Sequence, residues 1–171
     1  MTRPTPSRQP TQYVTIGIDR EIFAVEVAFV REILDMQPIT RVPNAPAFVA
    51  GMIDVRGESV PTIDLRTKLG LAAVPTTEHT RIVVLDIPID GQSLTMGMIA
   101  DRVIEVTSLS EHPLEPPPKV GVRWKSDYIS AVGRSNGAFV IVFDLARLFS
   151  SEEVAVLDAK VAMLEESCAG T

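Results

Sequence analysis

The chain carries one local pattern twice. In its first half a strand, a glycine turn and a second strand lead into Asp64-Leu65-Arg66 and then Leu69. In its second half the same succession leads into Asp144-Leu145-Ala146-Arg147-Leu148. Phe23-Ala24-Val25 ahead of Arg31-Glu32-Ile33 loosely echoes Met96-Gly97-Met98 ahead of Arg102-Val103-Ile104-Glu105. Such a duplication restricts the fold to two similar β units related by a rough pseudo-symmetry. A unit of about 70 residues is marginal by itself, so the two must share an apolar interface.

Local signals supply the elements. Val14, Ile16 and Ile18 alternate at strand period, and Ile22 to Val27 returns after Asp19-Arg20-Glu21, which reads as a hairpin. Ala28 to Leu34 reads as a short helix or a bent extension of the strand, and the helical spacing of Val30, Ile33 and Leu34 favours the helix. Ile39 to Val42 reads as a short strand, and Ala47-Phe48-Val49 as a turn of helix. Gly51 to Arg56 and Val60 to Asp64 flank the turn at Gly57, with Pro61 suggesting an edge position or a bulge. Asp64 is placed to cap a helix over Leu65 to Leu69. Ala72 to Thr80 is a polar connector. Arg81 to Ile87 is an almost unbroken β-branched run, the composition of a strand buried on both faces. Asp90-Gly91 and Asn136-Gly137 are hairpin turns. Leu94 to Ala100 returns from the first, with Val103 to Leu109 extending it. The second joins Tyr128–Gly133 to Phe139–Phe143, and Asp144 caps a short helix, Leu145 to Phe149.

The expected organisation is a flexible tail over 1–11, an ordered region over 12–150 with approximate halves 12–71 and 80–149, and a C-terminal segment over 151–171. In that segment Val154, Leu157, Val161 and Leu164 share one helical face, behind a capping box of Ser150 and Glu153. The fold class is therefore mainly β with short helices and a C-terminal amphipathic helix.

Apolar residues make up 46% of the 171, enough for a core, but aromatic residues only 5%, so Val, Ile, Leu and Met must fill it. A net charge of −6 with dispersed acids argues against a nucleic-acid partner. No apolar run reaches membrane-span length, and MTRPTPSRQP lacks the apolar core of a secretory signal. The single cysteine, Cys168, fits a reducing compartment, so the expected location is cytoplasmic.

Catalytic chemistry has little to stand on. His79 and His112 lie in polar sequence far from any cysteine, without metal-ligand spacing, and no phosphate-cradling or dinucleotide motif is present. Asp54 and Asp64 fall on adjacent strands of one hairpin, but a surface role and a helix cap account for them. The chain is read as a non-enzyme without cofactor or metal. Arg56, before the hairpin glycine, has a planar guanidinium suited to carboxylates or backbone carbonyls of a partner, or else is a solvated or ion-paired loop residue. Glu32 is a second candidate or a solvated face. Met96 and Met98 are core residues or part of an adaptable binding surface.

Across Thr40-Arg41-Val42-Pro43-Asn44-Ala45-Pro46, Gly51, Val55-Arg56-Gly57, Pro61 and Asp64-Leu65-Arg66 the sequence resembles the CheW-like coupling domain. Val30-Arg31-Glu32-Ile33 upstream and Tyr128 to Gly133 downstream extend the resemblance over about residues 12 to 150. It implies two packed five-stranded SH3-like β-barrels. It implies an adaptor joining the cytoplasmic tip of a methyl-accepting chemoreceptor to the regulatory domain of a CheA-type histidine kinase. The family's receptor-binding arginine and glutamate fall on Arg56 and Glu32, with Val30 and a groove-side Met98 as further candidates; kinase-binding residues are left unassigned. Asp54, Glu58, Ser59 and Arg102 depart from the family pattern, as does the proline-rich Glu111–Pro118. They leave open a competing or inhibitory module of a non-flagellar chemosensory pathway.

Overall fold

A computed structural model describes residues 11–89, 91–109, 113–116 and 128–149. Most of the expected N-terminal tail, His112, and the expected C-terminal helix lie outside them. The strands are β1 (Gln12–Ile18), β2 (Glu21–Glu26), β3 (Val30–Asp35), β4 (Val49–Val55) and β5 (Glu58–Asp64), followed by helix α1 (Leu65–Lys68). The second set is β6 (Arg81–Ile89), β7 (Gln92–Ala100), β8 (Arg102–Ser108), β9 (Ile129–Ser135) and β10 (Ala138–Phe143), followed by α2 (Leu145–Leu148). The chain is thus mainly β, and among the described residues each half holds five strands and a short α-helix.

The halves are not the barrels. One five-stranded sheet runs β8-β1-β2-β10-β9 and the other β3-β6-β7-β5-β4. Each barrel takes its central hairpin from one half and its other three strands from the other half. All neighbours are antiparallel except β2–β10 and β5–β7, which are parallel and join strands of different halves. The repeat extends to irregularities. Arg31 is the extra residue where β3 bulges against Leu85 and Val84, and Ile104 is the extra residue where β8 bulges against Ile16 and Thr15. Ala50 and Ser130 are the extra residues of matching bulges in β4 and β9. Bulges sharpen local twist, and at these edges they curl each sheet toward closure.

Strand alternation sorts the apolar side chains into three clusters. Ile82 and Val84 join Ile53, Val55 and Val60 inside one barrel. Tyr13, Ala24, Val140 and Val142 fill the other. The opposite faces of the same strands meet between the barrels, where Val83, Leu85, Met96 and Met98 pack with Val14, Ile16, Phe23, Ile141 and Phe143. The Phe23 and Phe143 rings stack there with centroids 4.7 Å apart. A strand lining both an interior and an interface has no polar face, which explains the unbroken apolar run of β6. Asp64 and Asp144 cap the helices as expected, accepting from Arg66 N at 3.0 Å and Arg147 N at 3.2 Å.

Several expectations are corrected. Ala28 to Leu34 is not a helix: a 3-10 turn, Val27–Phe29, leads into strand β3. Its period-2 burial is masked in sequence because Ile33 points outward while the half-buried position holds Glu32. Ile39 to Val42 reduces to a single bridge, Thr40 to Met52. Ala47-Phe48 is a turn closed by Val49 N donating to Pro46 O at 3.0 Å. Pro61 sits in an internal strand, tolerated because parallel pairing with β7 begins one residue later, at Thr62. β8 does not prolong β7, since Asp101 turns the chain from one barrel into the other. Met98 is 0% exposed in the inter-barrel core, so it takes the core role and offers nothing to a receptor groove.

That burial is testable. Met98→Ala should lower the unfolding free energy by about 2–5 kcal/mol, the usual cost of truncating a fully buried methionine. Urea titration measures it; a loss below about 1 kcal/mol would place Met98 at a surface.

Candidate functional site

Arg56 stands at the tip of the β4–β5 hairpin in left-handed backbone, φ +52°, followed by Gly57 at φ +83°. This is the two-residue turn whose both central residues need positive φ, and which favours Asn-Gly. The matching tip of the β9–β10 hairpin has that pair, Asn136 at φ +52° and Gly137 at φ +80°. One scaffold position therefore holds its preferred residue in one barrel and an arginine in the other. A long non-glycine side chain there costs about 1–2 kcal/mol. Asp54 steadies the turn, its Oδ1 accepting from Gly57 N at 2.8 Å. That bond, with the capping role of Asp64, accounts for the two acids weighed above as a catalytic pair.

The Arg56 side chain is 86% exposed. Its Nη2 lies 3.4 Å from Oε2 of Glu32, whose side chain is 20% exposed on edge strand β3. The structure thus brings together two of the four residues singled out from sequence. Val30 is half-buried against the inter-barrel core, two residues before Glu32 across the Arg31 bulge. An ion pair with so exposed a partner contributes about 0–1 kcal/mol, so it does not by itself offset the backbone cost.

Around this pair lies a network that sequence reading missed. Arg31 donates from Nε to Asp86 Oδ2 and from Nη1 to Glu58 Oε2, both at 2.9 Å. Thr95 Oγ1 donates to Asp86 Oδ1 at 2.6 Å, and Gln37 Nε2 to Asp54 O at 3.2 Å. Burial alone would raise the Asp86 carboxyl, but the hydrogen bonds from Thr95 and Arg31 outweigh it and hold it below the ordinary carboxylate range. These contacts close the seam between β3 and the β4–β5 hairpin, which do not pair as strands. Only the adjacency of Arg31 and Glu32 hinted at them, since Glu58 and Asp86 are remote in sequence. In the other barrel the positions matching Arg31, Glu32, Arg56 and Glu58 hold Ile104, Glu105, Asn136 and Ala138. Among the described residues the polar seam belongs to one barrel.

Two packed SH3-like barrels with exchanged strands and one arginine-tipped hairpin define a duplicated β module. A family model described as the CheW-like domain matches residues 12–153, and the chain belongs to that family. It is 31% identical over 147 residues to the chemotaxis protein CheW of Klebsiella aerogenes, covering 86% of each chain. It is 29% identical over 143 residues to the chemotaxis protein CheW of Treponema pallidum, covering 84% of each. Among solved structures it resembles the scaffolding protein TtCheW from Thermoanaerobacter tengcongensis, with a TM-score of 0.75, 26% identity, and coverage of 90% of this chain and 96% of that one.

If Arg56 is held at the turn against its own backbone preference, Arg56→Asn should leave stability unchanged or raise it by up to about 1 kcal/mol, because Asn tolerates this conformation. Chemical denaturation measures it. A loss above about 1 kcal/mol would make the Glu32 pair a structural necessity.

Proposed function

We propose that this protein is a cytoplasmic adaptor that couples a chemoreceptor to a CheA-type histidine kinase, with Arg56 as its receptor-facing anchor. The observation that carries the reading is the outward-turned Arg56 at a left-handed position where the matching turn has Asn136. A residue kept against backbone preference, and mostly in water, points to a partner that uses its side chain. A guanidinium with one nitrogen on Glu32 has further donors for carboxylates or carbonyls at the end of a helical hairpin. Glu32 orients it, and Val30 supplies apolar surface nearby. Membership of a family with chemotaxis and scaffolding relatives supports a chemosensory role. The adaptor acts by holding two partners together and needs no catalytic group.

No helix among the described residues is long and apolar enough to cross a membrane. In this reading, attachment to receptor arrays runs through protein contacts. The kinase contact is with the regulatory domain, at a surface separate from Arg56.

Arg56→Glu should weaken co-assembly with a receptor cytoplasmic fragment by at least about tenfold, as expected for a truncated or reversed hot spot. Kinase binding should stay within about twofold, and stability within about 0.5 kcal/mol, as for exposed substitutions. Pull-down with each purified partner, plus kinase assays in reconstituted receptor membranes, reads all of this. Unchanged receptor binding would remove Arg56 from the contact. Kinase activity lowered by the unmodified protein would replace the adaptor with a competing module.

A further inference from the structure

Each pseudo-symmetric half ends its fifth strand in a capped helix, and the residue two places after the cap differs sharply. After Asp64 it is Arg66; after Asp144 it is Ala146. Arg66 is buried, its side chain 10% exposed. Its Nε donates to the Ala72 carbonyl and its Nη1 to Asp101 Oδ2, each at 2.7 Å. Its Nη2 lies 3.9 Å from Asp19 Oδ1. The same Asp101 oxygen accepts from Asp19 N at 2.7 Å, and Arg102 Nη1 donates to Asp19 O at 3.2 Å.

Asp101 stands where the chain passes between barrels, Asp19 belongs to the barrel opposite Arg66, and Ala72 lies within Arg66's own barrel. Ala72 opens the connector between the halves. Asp101 is the single residue between β7 of one barrel and β8 of the other. Asp19 sits in the β1–β2 turn, and is itself at φ +57°. Among the described residues the opposite joint shows no such group: Val30 and Val103 each precede the matching bulge, so Asp101 aligns with Ala28. Two joints that are equivalent in topology are therefore held differently. One has Ala28 and Ala146 at the matching positions, and the other is held by a buried guanidinium whose contacts to Asp101 and Asp19 are lost if the barrels rotate. A buried charge deprived of its partner is costly, which makes this joint angularly specific in a way that side-chain packing is not.

We propose that Arg66 is a positioning residue of the coupling function: through Asp101 it fixes the angle between the two barrels, and so the relation between the surfaces that hold the two partners. This rests on the adaptor reading for its functional half only. Arg66 would touch neither partner.

The test measures angle and coupling separately. In a Cys168→Ser background, Ser59→Cys and Ser130→Cys place spin labels on exposed positions of β5 and β9, one on each barrel. Pulsed electron resonance should give one narrow distance distribution, broadened or displaced by Arg66→Met and largely restored with Arg66→Lys, which keeps a charged donor for Asp101. Binding to receptor fragment alone and to kinase alone should stay within about twofold, as for sites without shared contacts. Receptor-dependent kinase stimulation should fall by about fivefold or more, the lower range of a coupling effect. An unchanged distance distribution overturns the proposal. So does a fall in the separate affinities equal to the fall in stimulation, which would make Arg66 a contact or a general fold residue. Should Arg66→Met fail to fold, Asp101→Asn preserves shape and carries the same measurements. If the unmodified protein stimulates no kinase, the adaptor reading fails, while the distance measurement still decides the clamp.

Discussion

The parallel pairings β2–β10 and β5–β7 are the contacts on which the rest of this structure depends. Each joins a strand of the first half to a strand of the second, and each lies beside the apolar layer between the barrels. Without them neither sheet has five strands, and neither barrel interior is enclosed. A half-chain would expose both its interior face and its interface face, far more apolar surface than a small domain can leave in water. The exchange of strands makes the two barrels one folding unit. It also explains why β6 must be apolar throughout, and why Met96 and Met98 are buried beside β5.

On that symmetric frame, the residues proposed to carry function are departures from symmetry. The bulges, the helix caps and the left-handed hairpin turns occur in both copies. Arg56, the Arg31–Glu58–Asp86 seam and the Arg66–Asp101 joint occur in one. Charged residues are expensive where alanine or asparagine suffices in the matching place, and this expense is what the proposed partner contact and partner geometry would explain. Arg56 faces outward at one barrel's tip, and Arg66 is buried where the barrels meet. In the proposed reading the first presents a contact, and the second keeps its orientation relative to the remainder of the molecule.

Much of this fold was legible from local sequence. The capping aspartates, the Asn136-Gly137 hairpin, the doubly buried β6 and the repeat itself follow from short-range rules, and the structure has each of them. The exchange of strands was not legible, because a repeat in element order says nothing about which copy pairs with which. Strand β3 was misread because Glu32 occupies a half-buried position and Ile33 an exposed one, a reversal that makes sense only with Arg56 nearby. Arg56 and Glu32 were found as separate candidates; their pairing, and the seam around them, depend on contacts across more than twenty residues of chain. Met98 was placed in the groove by the family resemblance, whereas the topology buries it in the core that its residue type also allowed.

The adaptor account makes the kinase's attachment to receptor depend on this protein. Co-sedimentation of purified kinase with receptor-bearing membranes, titrated with the unmodified chain, tests it most directly. Kinase in the pellet should rise from a low baseline as the protein is added, with all three components recovered together. Kinase that sediments equally without it, or that the protein drives into the supernatant, would contradict the account.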